Sequence, residues 1–210
     1  MVDETTIPLF PLEVVLMPSM PLPLHIFEER YKLMIGECLE QKSEFGVVYE
    51  KGSERKKIGC TARIVQVLRR FEDGRLDIMT QGVNRFVIKK IYENKPYLQA
   101  EVIYFDDEEE EGADNLIADG IKLLEELDVM ASKKRDYRSL ARMNDKIISF
   151  VLSYNDAFTM EEKQTFLEMT STGERIRKSV ESLRKVVEVM QVTEEIKRIA
   201  GGNGNLRNKY

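Results

Sequence analysis

Two patterns of apolar positions divide the chain near residue 105. Before it, apolar residues alternate with polar ones or form short runs rich in β-branched residues, which is typical of strands. After it, they recur three and four residues apart, as on one face of a helix. The sequence therefore predicts an α+β protein with a β-rich domain over residues 1–105 and a helical domain over residues 116–200.

The opening segment, residues 7–27, is apolar and contains five of the six prolines of the chain. Proline has no N–H group and fixes φ, so this segment cannot be a helix or a central strand throughout. It is also too apolar for a solvated linker. We predict a short strand, a turn and a second extended piece, all packed on a core.

The rest of the β-rich domain predicts one helix and several strands. An apolar stripe from Phe27 to Leu39 predicts an amphipathic helix of about three turns. A polar loop is expected at residues 50–57, a hairpin at Asp73-Gly74 and another turn at Gly82. With the strands between these points, we expect five or six strands and one helix before residue 106.

The second part opens with six consecutive acidic residues, 106–111. Like charges repel and stay solvated, so we predict a flexible acidic linker over residues 106–115. Helices are expected near residues 117–127 and 140–154, and residues 201–210 are expected to form a flexible tail. The signals for the remaining two helices are capping boxes, which begin at Thr159 and Ser171.

These two boxes predict a short helix between them and a long helix after the second. The long helix carries an apolar stripe from Ile176 to Met190, which needs a partner inside the chain or on a second copy. The sequence does not choose between these two, so self-association through the carboxy-terminal helices stays open.

Charge and composition exclude some classes of function. The net charge is −5, and the β-rich domain has equal numbers of basic and acidic residues, so nucleic-acid binding is not expected. The short basic runs at residues 55–57, 69–70 and 89–90 are interpreted as solvated faces. No apolar run reaches the roughly 18 residues of a membrane span.

Metal and disulfide chemistry are not expected either. The chain has two cysteines, Cys38 and Cys60, and one histidine, His25, which are too few for a zinc site. Without a secretory signal, two reduced thiols and a cytoplasmic location are the expected state. His25 lies between Leu24 and Ile26 and is interpreted as structural, because a general base also needs a partner and a pocket.

Several segments together resemble the amino-terminal domain of the Lon protease. The resemblance covers residues 7 to about 190 and is most specific in the opening segment. The residues that carry it are Ile7-Pro8-Leu9-Phe10-Pro11-Leu12, Leu22-Pro23-Leu24-His25-Ile26-Phe27-Glu28, Arg30-Tyr31, Phe45-Gly46-Val47-Val48, Ile58-Gly59-Cys60-Thr61-Ala62, Gly82-Val83-Asn84-Arg85-Phe86 and Pro96-Tyr97-Leu98-Gln99-Ala100.

The resemblance implies a PUA-like β pseudo-barrel with one or two helices, followed by a helical bundle that ends in a long helix. It also implies recognition of protein substrates, with unfolded or apolar segments as the partners. Proteolysis is not carried over, because no glycine is followed by lysine as a P-loop requires, and the Ser-Lys motif of the peptidase has no counterpart. We expect a free-standing recognition domain that is not an enzyme and holds no cofactor.

The candidate substrate-binding residues are Met17, Met20, Phe27, Tyr31 and Arg85. The two methionines could form an adaptable apolar surface or fill the core. Arg85 could bind a carboxylate or a main chain, or serve as a structural ion pair or carbonyl clamp. RNA binding by a PUA-like barrel is the alternative function, and a hydrolase with an unrecognised site ranks last.

Overall fold

The computed structural model describes residues 4–108 and 114–202. Six strands and one helix precede residue 106, as predicted. They are β1 (Glu4–Leu12), β2 (Pro21–Ile26), α1 (Glu29–Gln41), β3 (Phe45–Lys51), β4 (Glu54–Arg70), β5 (Leu76–Tyr92) and β6 (Leu98–Phe105). The described helices that follow are α2 (Asp114–Met130), a short 3₁₀ helix (Arg138–Arg142), α3 (Asp145–Ser153), α4 (Met160–Glu168) and α5 (Thr172–Gly202).

Five of the strands close into a ring. The order around it is β1, β3, β4, β5, β6 and back to β1, and only the β1–β3 pair is parallel. The long strand β5 pairs with β2 through residues 76–81 and with β6 through residues 85–92. The first half of β5 therefore forms a three-stranded extension with β2 and β4 beyond the ring.

The two faces of the ring build two hydrophobic clusters. The enclosed face holds a small cluster: Ile7, Leu9, Val48, Phe86, Ala100 and Val102. A Cβ atom at Gly59 would lie 2.6 Å from the Phe86 ring, so glycine leaves the space that this ring fills. The outer face contributes to a larger cluster that continues through α1 and into α2–α5, from Phe10 to Val187. The two halves of the chain therefore share one main core.

The opening segment folds as the prolines require, with a tight turn between β1 and β2. The N–H of Met20 donates to the carbonyl of Met17 at 3.1 Å, and Ser19 has a φ of 66° at the third position of this turn. Proline at the second position and a positive φ at the third define a type II turn. Gly82 bonds to this turn through Ser19 and Met20, at 2.8 and 2.9 Å.

The prediction of a turn at Gly82 is wrong, because β5 runs without a break from Leu76 to Tyr92. Gly82 lies instead at a register shift between β4 and β5. A Cβ atom there would lie 2.1 Å from the carbonyl oxygen of Met17, so only glycine allows the turn to approach. The predicted loop at residues 50–57 is also shorter, since β3 ends at Lys51 and β4 begins at Glu54.

The helical half follows its capping signals. Thr159 and Glu162 form the predicted capping box of α4. The helix expected over residues 140–154 is divided, because the side chain of Asn144 accepts the N–H of Ile147 and starts α3 there. The stripe of α5 is buried within the chain, and its buried members are Ile176, Val180, Leu183 and Val187.

The start of the predicted acidic linker lies against the helical half. The N–H of Glu108 donates to the carbonyl of Thr170 at 2.8 Å, and α2 already begins at Asp114. Residues 109–113 and 203–210 lie outside the described residues. Among the helices that are described, none combines the length and apolar character needed to cross a bilayer.

Candidate functional site

The structure separates the five predicted binding residues into four buried ones and one exposed one. Met17, Met20, Tyr31 and Arg85 are all buried, whereas Phe27 keeps 60% of its surface exposed. Met17 and Met20 belong to the main core, which is the packing role weighed for them in the sequence. The Tyr31 ring packs on Phe10 with 4.1 Å between ring centroids.

Arg85 lies between the ring and the helical half, and its side chain is 1% exposed. Its Nη1 donates to the carbonyl oxygens of Leu167 (3.1 Å) and Met169, at the end of α4. Its Nη2 donates to Oδ1 of Asp107. Arg85 is thus a carbonyl clamp and an ion pair at once, which is the structural alternative considered for it.

Asp107 joins Arg85 to a second buried arginine, Arg175 of α5. Arg175 also donates to the Met169 carbonyl at 2.8 Å and through Nε to Oγ of Ser149 at 2.8 Å. We call Arg85, Asp107 and Arg175 the arginine junction. It ties β5, the segment after β6 and α5 together, so the first acidic residues after the ring have a structural role.

The electrostatics of the arginine junction follow from its burial. Burial by itself would raise the pKa of Asp107, but hydrogen bonds from Arg175 and Thr172 and the charges of both arginines outweigh it, so the pKa lies below 3.8. Burial also lowers the pKa of Arg85 from its ordinary value, against the opposing charge of Asp107. A buried ion cluster whose polar atoms are all engaged has little left to offer a ligand.

Phe27 lies at the free end of the three-stranded extension, beside other aromatic rings. The His25 ring stacks on Phe27 and meets Phe71 edge-on, each with 5.9 Å between ring centroids. Nδ1 of His25 lies 2.5 Å from Oδ1 of Asp77, which fixes the imidazole between the two phenyl rings. Register places His25, Asp77 and Arg69 side by side on β2, β5 and β4.

Two arginines cover the Phe71 ring. The guanidinium carbons of Arg69 and Arg75 lie 4.4 and 4.8 Å from its centroid, within the range of cation–π attraction. A surface cavity of about 510 Å³ opens here, lined by residues 69–73 and Arg75. We call His25, Phe27, Phe71, Arg69 and Arg75 the aromatic tip.

The hairpin that carries the tip is held in place by α1. The predicted Asp73-Gly74 turn is present, with a φ of 82° at Gly74 that suits glycine. Nζ of Lys32 donates to the Asp73 carbonyl at 2.9 Å, and Asp73 itself pairs with Arg75. The tip is therefore an exposed surface on a fixed support.

The tip can bind an apolar side chain and an anionic group beside it. Phe27 supplies exposed apolar area, and within the described residues Arg69 makes no ion pair that would occupy its guanidinium. In the same part of the chain, no group of three or more His, Cys, Asp or Glu side chains could hold a metal ion. Cys38 and Cys60 are buried, and burial raises the pKa of each thiol, so neither is a ready nucleophile.

Sequence reasoning found Phe27 but missed the residues around it. Arg69 and Phe71 lie next to the Asp73-Gly74 hairpin signal, so an aromatic residue beside a basic pair at a hairpin was the available clue. His25 is a paired, structural residue, as interpreted from the sequence, and it lies exposed at this surface. The pairing with Asp77 spans 52 positions and had no local signal.

The fold defines a class of protein: a closed β ring with a hairpin extension, followed by a helical bundle with a long last helix. The family model described as "ATP-dependent protease La (LON) substrate-binding domain" matches residues 6–185. The chain therefore belongs to this family, as the opening segment predicts, and the family assignment indicates a role in substrate recognition.

Curated relatives support this assignment. The Lon protease of Desulfosudis oleivorans is 27% identical over 91% of this chain, and that of Dictyoglomus thermophilum is 23% identical over 90%. The chain spans about a quarter of the length of these relatives, 25% and 26%. The match is thus to the substrate-binding domain of much longer proteins.

Solved structures support the fold. A Lon N-terminal domain protein from Xanthomonas campestris matches with a TM-score of 0.66 and 22% identity, covering 83% of this chain and 96% of that one. The N-terminal domain of a Mycobacterium avium complex Lon protease matches with a TM-score of 0.64 and 18% identity, covering 86% and 98%. The predicted α+β architecture is confirmed by these neighbours.

Proposed function

We propose that this protein binds unfolded or apolar segments of other proteins at the aromatic tip and does not cleave them. The observation that carries the proposal is Phe27, a large apolar side chain that is 60% exposed and stacks on His25 beside the β4–β5 hairpin. Apolar surface of this kind, ringed by polar groups, is typical of interaction sites. Membership of a substrate-binding family supports the same role.

The tip favours a particular kind of segment. An aromatic or aliphatic side chain would pack on Phe27, and an acidic neighbour would pair with Arg69, whose guanidinium is already held against Phe71. Because Arg69 is positioned before binding, less conformational entropy is lost when the pair forms.

Substitution of Phe27 tests the proposal, with reduced and carboxymethylated α-lactalbumin as a permanently unfolded probe. We expect Phe27→Ser to weaken its binding at least fivefold, because one buried apolar contact is worth about 1–2 kcal/mol. Fluorescence anisotropy of the labelled probe measures the affinity, and gel electrophoresis checks that the probe stays intact.

Val129→Ser is the control, since Val129 is an even more exposed apolar residue, on α2 in the other half. Its affinity should stay within twofold of wild type. Equal binding by wild type and Phe27→Ser would contradict the assignment of the tip. Salt-sensitive binding of structured RNA, without binding of the unfolded probe, would favour the alternative function.

Self-association through α5 stays a prediction. The stripe from Ile176 to Val187 is buried in its own chain, so it needs no second copy. Exposed apolar residues continue on α5 beyond it, and these are Val189, Val192, Ile196 and Ile199. Light scattering over a concentration series measures whether the molar mass rises above that of one chain. The cytoplasmic location likewise stays a prediction.

A further inference from the structure

Strand β1 is paired on one edge along its first half and unpaired on the other. It pairs with β6 from Glu4 to Leu9, but with β3 only from Leu9 to Leu12. Within residues 4–108 and 114–202, no strand pairs with the second edge of residues 5–8. An unpaired edge presents free N–H and C=O groups to another chain.

The position of Pro8 indicates which groups those are. In an antiparallel pair, a residue directs both of its main-chain polar groups toward the partner strand or both away from it. Pro8 lies opposite Gln99 of β6, and proline takes positions that face away from the ladder because it cannot donate. Thr6, two positions earlier, faces the same way. The Pro8 carbonyl serves the parallel bridge between Leu9 and Gly46, so the open edge offers the N–H and carbonyl of Thr6.

A cleft of about 490 Å³ follows this edge. Along β1 it is lined by Thr5, Thr6, Ile7 and Pro8, a distance of about 10 Å for three strand positions. That length suits an extended segment of about four residues. Gln41 at the end of α1 and Glu44 before β3 form the facing wall.

We propose that this cleft binds an extended segment of a client protein by strand addition to the open edge of β1. The proposal rests on the proposed function, the binding of unfolded protein segments. It adds a second contact site, which binds the main chain of the client. The lining combines polar side chains such as Gln41 with the rings of Tyr97 and Tyr104, so pairing with the main chain, rather than one side-chain type, would select the segment.

The walls of the cleft favour a client chain over a second copy of this protein. Pairing between two folded sheets needs an open edge with nothing beside it, whereas α1 and Glu44 flank this one. Glu44 is already held by Arg63 and Thr61, at 2.7 and 2.6 Å, and Glu37 by Lys95 at 2.7 Å. These carboxylates are therefore already bonded, whereas no strand pairs with the Thr6 main chain on this edge within the described residues.

Substitution of Thr6 tests the proposal, with carboxymethylated α-lactalbumin as the probe. Thr6→Pro removes the Thr6 N–H from the open edge, and Thr6→Val is the matched control that keeps it. We expect Thr6→Pro to weaken binding at least fivefold and Thr6→Val to leave it within twofold. Equal affinities for the two variants would overturn the proposal, and so would a complete absence of probe binding by the wild type.

Hydrogen exchange of the wild-type protein keeps the test independent of how Thr6→Pro folds. The Thr6 amide should exchange at least tenfold more slowly when the probe is saturating, while the Ile7 amide, which faces β6, changes less. Unchanged exchange at Thr6 together with normal probe binding would overturn strand addition and leave the aromatic tip standing. If the Thr6 amide instead became protected from exchange as the protein concentration rose, without any probe, the edge would bind a second copy. That result would also overturn the proposal.

Discussion

Arginine lies against phenylalanine in two regions of this molecule, with opposite consequences. In the arginine junction, Arg175 lies 3.9 Å from the Phe150 centroid and Arg85 lies 4.5 Å from that of Phe105. In the aromatic tip, Arg69 and Arg75 cover Phe71 at similar distances. The pairing chemistry is the same, but the junction is buried and fully bonded, whereas the tip is exposed.

The difference shows that residue type does not decide function here. Arg85 belongs to one of the segments that carry the family resemblance, yet its side chain is buried and donates to Leu167, Met169 and Asp107. Arg69 carries no such motif and keeps its guanidinium at the surface. We therefore expect substitutions in the junction to change stability and substitutions in the tip to change binding.

Asp107→Ala should have the largest effect on stability. It leaves two buried guanidinium groups without their shared carboxylate, and breaking one side of a buried ion pair costs about 3–5 kcal/mol. Urea denaturation measures the free energy of unfolding. Asp73→Ala is the control, because it removes a carboxylate from the exposed Arg75 pair, and the unfolding midpoint should not move measurably. A loss below about 1 kcal/mol for Asp107→Ala would contradict a stabilising junction.

The effect of Asp107 should depend on pH in a defined window. Its pKa is lower in the folded protein than the ordinary 3.8, so its ionised form stabilises the fold. That contribution is complete above the unfolded pKa and is lost as the pH falls through the folded pKa. The difference in free energy of unfolding between wild type and Asp107→Asn should be largest above about pH 5 and shrink below about pH 4.

Urea denaturation from pH 3 to pH 7 measures this difference. A gap that stays constant over the whole range would indicate that packing around Asp107, and not its charge, stabilises the junction. Asp73→Asn should show almost no gap at any pH, because its carboxylate is exposed.

Arg69→Gln should have the smallest effect. The guanidinium is exposed and makes no ion pair within the described part of the chain, so we expect the unfolding midpoint to stay within error. Binding of an acidic unfolded probe should weaken about two- to threefold and lose part of its salt sensitivity, since one screened charge is removed. A drop in stability comparable to that of Asp107→Ala would remove the distinction between the two regions.

Much of the fold could be predicted because its signals are local. The capping box at Thr159 and the hairpin at Asp73-Gly74 each depend on a few neighbouring residues. Predictions failed where a distant contact overrode a local signal. Gly82 has the local signal of a turn, but it lies inside the unbroken strand β5. It allows the turn at Met17 to approach this strand, and the two residues are 65 positions apart along the chain.

The candidate site was predicted less well than the fold. A methionine, a tyrosine or an arginine in a motif can serve binding or packing, and only burial distinguishes the two. Met17 and Tyr31 proved to be members of the main core, where the Tyr31 ring packs on Phe10 of β1. Phe27 comes directly after β2, where the chain leaves the sheet before α1, and so stays exposed.

The sequence by itself determined the order and kind of most elements, the family, and the strand–turn–strand form of the proline-containing segment. These depend on periodicity and on residues close along the chain. Only the tertiary structure decided which arginines are buried, how the tip assembles and where β1 remains unpaired. These features depend on contacts such as His25 with Asp77 and Asp107 with Arg175, which join residues 52 and 68 positions apart. Burial and pairing over such distances are properties of the packed chain, and no local pattern encodes them.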